Sequence, residues 1–322
     1  MFPLQKLGPC STKALLTSHP VPMSGKTLDE FRREIDRIDD AILDLLDKRA
    51  QIALEVGELK RSTSATPVFL RPGREAQVLR RLLERPNGKF PRAVVARIWR
   101  EIICATLRLE TPFLVSVFEP EPGSEGESYL AMARAYFGVE TTLRPARTEA
   151  GVLRNVRDRK ASIGVLPVPV DEPPGEVRKE PWWVTLACSG EQGPKIVFGL
   201  PWIRTPVDGR QGLTALAIAN APPEQTGDDL GLIALELLDQ TSRTRLHGAL
   251  AQAGLELVGA VSWQGADRAL RWHLIELSGF FDEADPRLGQ FQGALGNSLK
   301  RLVVLGAYPR TPAGTGLSPT SP

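Results

Sequence analysis

Residues 27–61 read TLDEFRREIDRIDDAILDLLDKRAQIALEVGELKR. Apolar side chains recur there at three- and four-residue steps, from Leu28, Phe31 and Ile35 through Ile42, Leu45 and Ile52 to Val56 and Leu59. That is the period of an amphipathic helix. Thr27, with Glu30 three residues on, forms a capping-box signature at its start. The pattern predicts one helix of about 34 residues, some 50 Å long. A stripe that long is not buried by one short neighbour, so the helix is expected to pair with another copy of itself.

Outward from this stretch, two shorter helices are expected over 74–85 and 92–110, the second stopped by Pro112. The texture then changes. PFLVSVFEP (112–120), ETTLRP (140–145) and SIGVLPVPV (162–170) read as strands, with helices over 128–138 and 148–160 between them. This is a βαβαβ pattern. PWWVTLAC (181–188), PKIVFGLPWI (194–203) and LTALAIAN (213–220) are further candidate strands. From LGLIALELL (230–238) to RLVVLGAYP (301–309) the order reads β-α-β-β-α-β, the ferredoxin-like unit. The expected fold class is therefore multidomain α plus α/β. It comprises a disordered extension (1–25, with Met23 an alternative start), a helical domain (26–111), an α/β domain (112–226), an α+β domain (227–310) and a disordered tail (311–322).

The 322 residues, 42% hydrophobic and 24% charged, are ordinary for a globular protein of two or three domains. No apolar run reaches the ~18 residues of a membrane span, so no membrane partner is expected. The net charge of +2 leaves no footprint for nucleic acid. Within it, residues 26–110 hold 18 Lys and Arg against 14 Asp and Glu, which suits a small anionic ligand. The three cysteines (Cys10, Cys104, Cys188) are too scattered for a disulfide framework, and a cytoplasmic location is expected. No GxSxG, P-loop or GxGxxG is present, and the three histidines are dispersed. Neither a metal nor a cofactor is expected.

The long helix carries its own charge geometry. Arg49 and Lys60 stand eleven residues apart, about three turns and 16 Å, on one face. Arg32 lies seventeen residues before Arg49, about 25 Å away and on another face, within reach of the same ligand only from a partner helix. Two readings stand at this point: solvent-facing charges on an ordinary helix, or a shared anion site.

The whole segment decides between them. R-x-x-I-D-x-I-D from Arg32, D-K-R at 47–49, E-V-G-x-x-K at 55–60 and R-E-A-Q-V-L at 74–79 stand in register, followed by ARIWREIICATLRLE at 96–110. Together they closely resemble the all-helical chorismate mutases, especially the N-terminal domain of bifunctional chorismate mutase–prephenate dehydratases. The resemblance implies a homodimer of interlocked three-helix subunits acting on chorismate. It places substrate-binding roles on Arg32 (donated across the dimer), Arg49, Arg74, Glu75 and Thr106, with Lys60 and Glu110 flanking the ether oxygen. The family's acidic residue three positions before its Arg-Glu pair is Arg71 here, so contact with the substrate's ring hydroxyl is expected to rest on Glu75. Chorismate-to-prephenate conversion is a unimolecular pericyclic rearrangement and needs no cofactor. The protein would hold the dicarboxylate in its reactive conformer and stabilise charge on the breaking ether oxygen. An ionised Glu110 would repel that charge, so Glu110 is expected to act in its protonated form.

The remainder resembles a prephenate dehydratase with its chemistry altered. Gly123, Glu125 and Gly126 match the opening motif, but Glu127 and Ser128-Tyr129 replace its Thr and Phe-Ser. Gly164 and Pro167 match a second motif, whereas Pro169, Val170 and Asp171 replace Glu-Asn-Ser. Thr214-Ala215-Leu216 is a remnant of the signature that carries the family's catalytic Thr. LGAYPR (305–310) resembles the close of an ACT domain, with its phenylalanine-binding motifs changed to Thr241-Ser242-Arg243 and Val261-Ser262-Trp263-Gln264. The expected activity is chorismate mutase with a non-catalytic tail. A full bifunctional enzyme and a non-catalytic regulatory subunit are the alternatives. Trp182-Trp183 is expected in a core strand, and Cys104 as a buried structural thiol.

Overall fold

The computed structural model of the chain describes residues 26–65, 68–85, 89–121, 128–171, 179–190, 193–202 and 213–311. The expected disordered extension with Met23, the tail beyond Thr311, and the motif residues Gly123, Glu125, Gly126 and Glu127 lie outside the described residues. Two compact units divide the chain, residues 1–49 and 50–322. Among the described residues no helix is long and apolar enough to cross a membrane.

Helix α1 runs Leu28–Thr63, 36 residues. Its start is the expected capping box: the Thr27 N–H donates to Glu30 Oε2 (2.6 Å) and the Glu30 N–H to Thr27 Oγ1 (3.3 Å). Within the first unit the apolar stripe is bare, with Ile35, Ile38, Ile42 and Leu45 each at least half exposed.

In the second unit, α2 (Pro72–Leu83) and α3 (Arg92–Glu110) follow. The former starts two residues before its expected position because Pro72 occupies the first helical turn, where a missing N–H costs nothing. Then come β1 (Leu114–Phe118), α4 (Tyr129–Phe137), β2 (Thr142–Ala146), α5 (Glu149–Arg157) and β3 (Ile163–Pro167). These are the expected βαβαβ, with β1 parallel to both β2 and β3. PWWVTLAC does not form a strand. It forms the short helix α6 (Trp182–Ala187) after Pro181, with both indoles buried and Trp182 Nε1 donating to Pro167 O at 3.1 Å. Next are β4 (Lys195–Leu200), β5 (Ala215–Ala219), β6 (Asp229–Leu238), α7 (Arg243–Gln252), β7 (Leu257–Trp263), β8 (Leu270–Ser278), α8 (Pro286–Leu295) and β9 (Leu299–Pro309).

All nine strands form one sheet in the order β2-β1-β3-β5-β4-β9-β6-β8-β7. The last four are antiparallel neighbours in the order of a ferredoxin-like unit. This half meets the first through one parallel pair, Ile196 with Gly306. Gly306 holds φ +146°, and a Cβ there would lie 2.2 Å from Ile196 O, so only glycine permits the joint. On one face of the first half, α2, α3 and α4 bury Leu79, Cys104, Leu107, Tyr136 and Phe137 against β1, β3, β4 and β5. α5 and α6 cover the opposite face, while α7 and α8 close a separate core with Ile233, Ile275 and Phe291. The second and third helices are thus built into the α/β core.

Candidate active site

The end of α3 and the last turns of α1 meet at Gly57, the buried residue of α1. A Cβ at Gly57 would sit 3.3 Å from Glu110 Cγ, so its absence sets how closely the two helices approach. One turn on, Lys60 Nζ donates to Glu110 Oε2 at 3.0 Å, with both side chains largely withdrawn from solvent. Arg61 donates to the Glu110 main-chain oxygen at 2.9 Å. Phe69 walls the pair, its ring 5.3 Å from Lys60 Nζ and 5.9 Å from Arg61 Cζ. With Lys60 on the carboxylate and Arg61 on the main-chain oxygen, two cations meet one anionic residue, which suits an anionic ligand. Thr106, one turn before Glu110 on the same helix, is buried, and its hydroxyl faces the Ile102 and Ile103 carbonyls, each at 2.9 Å.

Arg74 and Glu75 open α2 and separate from one another. Arg74 is exposed. Glu75 is buried against Arg100 of α3, whose guanidinium donates to its carboxylate at 2.5 Å. Arg100 also donates to Tyr136 O at 3.0 Å and stacks on the Tyr136 ring at 3.9 Å. Burial pushes the Glu75 carboxyl up, against the pull of the guanidinium. Burial works against the Arg100 proton, yet Tyr136, Cys104 and Glu75 hold it above the ordinary arginine value. The Glu75 carboxylate, expected to face a ligand's hydroxyl, is bonded to Arg100 in this structure. That arginine lies ten residues before Glu110, about 15 Å back along α3. Cys104, beside Arg100, is buried as expected, its thiol pushed up to about 11 by burial.

In the first unit, Arg32 pairs with Asp29 one turn before it, at 3.1 Å and largely exposed. Arg49 is partly buried at the end of that unit. Of the seven residues expected at a site, Lys60 and Glu110 touch directly, and Thr106 lies one turn before Glu110 on α3. Gly57, Phe69 and Arg100 were not assigned roles by sequence reasoning. Gly57 left a signal, an isolated glycine inside a strong helical pattern. Arg100 left none, because its partners are 25 and 36 positions away.

Several positions of the dehydratase-like and ACT-like motifs serve the fold. A Cβ at Gly164 would meet Val152 and Val156 of α5 at 2.7 and 2.8 Å. Asp171 accepts from the Ser262 N–H at 2.9 Å, and Ser128 and Ser242 cap α4 and α7.

Residues 31–111 match the family model described as chorismate mutase type II. The intracellular chorismate mutase of Mycobacterium bovis is 34% identical over 87 residues, 27% of this chain and 77% of that protein. The chain belongs to the chorismate mutase family. The bifunctional chorismate mutase/prephenate dehydratase of Aquifex aeolicus is 36% identical over 145 residues, 44% of this chain. An alignment of that length does not fit within residues 1–111, so it continues into the α/β region. The chain spans 38% of the length of that relative. A prephenate dehydratase structure from Streptococcus mutans aligns over 60% of this chain and 96% of its own, with a TM-score of 0.42 at 14% identity.

Proposed function

We propose that this mutase-family chain converts chorismate to prephenate, and the observation that carries the reading is the Lys60–Glu110 pair. It sets a cationic donor and a carboxyl side by side at a net positive, largely desolvated helix junction. A pericyclic rearrangement breaks the ether C–O bond as the new C–C bond forms, with no covalent intermediate. The demand on the protein is to hold the reactive conformer and stabilise charge on the ether oxygen. Lys60 donates to that oxygen, with Glu110 beside it and Thr106 one turn back along α3. Arg49 and Arg74 clamp the two carboxylates with bidentate forks. Arg32 arrives from a partner subunit in a homodimer, and the bare stripe of α1 supports that pairing.

Residues 112–226 are a dehydratase-like region without the dehydratase residue set, and 227–310 an ACT-like domain without the phenylalanine motifs. Thiols free at Cys104 and Cys188 agree with a cytoplasmic setting.

Purified protein is incubated with chorismate, loss of the diene absorbance is followed, and phenylpyruvate is assayed separately. Prephenate alone is the expected product. Phenylpyruvate as well would make the chain bifunctional, and no turnover by folded protein would leave a regulatory subunit. Mixed Arg32→Ala and Lys60→Ala protomers should regain activity by forming one intact shared site.

A further inference from the structure

Helix α2 begins without a cap of its own. Its N-cap residue, Arg71, makes no side-chain bond to the first turn, and an arginine has no acceptor to offer. The acceptor comes from the segment between β5 and β6. Glu224 Oε2 accepts from the Gly73 N–H at 3.1 Å and the Arg74 N–H at 3.3 Å, while Oε1 accepts from Arg71 Nε. The approach needs glycine at 73, where a Cβ would stand 2.6 Å from Glu224 Cβ. The same segment holds the other end of the helix. Arg80 donates to Thr226 Oγ1 at 2.8 Å and to the Asp228 carbonyl at 2.6 Å. It also reaches Arg310 O, past the end of β9, at 3.1 Å.

We propose that Glu224 is a positioning residue for chorismate binding, setting Arg74 by capping the turn that carries it from 150 residues away. The inference rests on the mutase reading, in which Arg74 clamps a substrate carboxylate. Glu224 touches no substrate; it fixes the backbone from which Arg74 reaches. A loosened first turn weakens the hold on substrate and transition state alike, so the loss falls on KM more than on kcat.

The experiment uses the full chain and three variants: Glu224→Ala, Arg71→Asp and the double variant. Steady-state chorismate kinetics and amide exchange at Gly73 and Arg74 are read for each. Losing a cap corresponds to about fivefold to tenfold. Glu224→Ala should therefore raise KM by roughly that factor with kcat within twofold, and speed exchange at both amides similarly. Arg71→Asp alone sets a second carboxylate against Glu224 and should also raise KM. In the double variant Asp at 71 caps its own helix, and KM and exchange should return to within twofold of the parent. Should Glu224→Ala not fold, Glu224→Gln carries the same test with a smaller effect. An unchanged KM in the single variants, or a rise that the double variant does not reverse, overturns the proposal. A parent that does not consume chorismate overturns the mutase reading and with it this role of Glu224. Exchange at Gly73 and Arg74 still decides whether Glu224 caps the helix.

Discussion

Replacing Glu75 with alanine separates two roles that the family resemblance and the observed packing assign to one carboxylate. Arg100 is 5% exposed and Glu75 10% at the side chain, with 2.5 Å between them. Removing the carboxylate strands a guanidinium whose remaining partners are the Tyr136 carbonyl, the Tyr136 ring and the Cys104 sulfur. Breaking a buried pair from one side costs about 3–5 kcal/mol, because the other charge stays buried without its counter-charge. For a unit of this size each kcal/mol moves Tm by roughly 2–4 °C, so Glu75→Ala should lower it by about 10 °C. Arg100→Met in the same background removes the stranded charge and leaves an apolar chain among Tyr136, Phe137 and Phe198. Most of the lost stability should then return.

Thermal denaturation of the four proteins (parent, both singles and the double) completes the cycle, and chorismate kinetics on the same samples complete the test. With Glu75 committed to Arg100, both single variants lose stability, and the interaction energy between the sites is large. A Glu75→Ala protein with Tm within 2 °C of the parent and KM raised more than tenfold would refute this reasoning. The carboxylate would then belong to the substrate.

Three further outcomes are expected. Gly57→Ala gains about 1 kcal/mol of helix propensity but presses a methyl to 3.3 Å from Glu110 Cγ, so Tm should change little while kcat falls about tenfold; an unchanged kcat would show that the Lys60–Glu110 geometry tolerates displacement. Gly306→Ala forces a Cβ to 2.2 Å from Ile196 O and should lower stability by about 3 kcal/mol or more in urea titration, by opening the joint between β4 and β9. Burial, aided by Arg271 and Arg243 against Asp171 and Asp239, pushes half-buried His273 down to about 4. The unfolded chain therefore takes up that proton first as pH falls below ~6.5, and stability should decline from there to about pH 4 by at most ~3 kcal/mol. In His273→Gln this decline should flatten.

Helices α1 and α3 were legible in the sequence because each repeats its apolar period over several turns and carries its own stop or cap, Thr27 at one and Pro112 at the other. The alternating βαβαβ and βαββαβ orders were legible for the same reason. α6 was not: six residues offer less than two turns of period, and two tryptophans beside a valine read as strand composition. Site contacts were legible only where local. Lys60 and Glu110 could be paired by family register, but Glu75 is bonded to an Arg100 covered by Tyr136 and Phe198, residues of other elements whose approach no local pattern records. The cap on α2 is further removed still, since an arginine at the N-cap gives no hint of which distant carboxylate supplies the missing acceptor.

These long-range contacts give residues 112–311 a physical part in holding the helices that match the mutase family, one that does not depend on dehydratase chemistry. Arg100 keeps its charge inside the protein because Tyr136 of α4 and Phe198 of β4 cover it. A helix pair α2–α3 deprived of them would present the Arg100–Glu75 pair to water, where such a pair contributes about 0–1 kcal/mol. The first turn of α2 would lose Glu224 and its last turn the Thr226, Asp228 and Arg310 acceptors. A twelve-residue helix has little stability alone. The same α2 that carries Arg74 is therefore held at both ends by residues far C-terminal to it. Substitutions in the 222–228 segment should accordingly be read first as changes to α2.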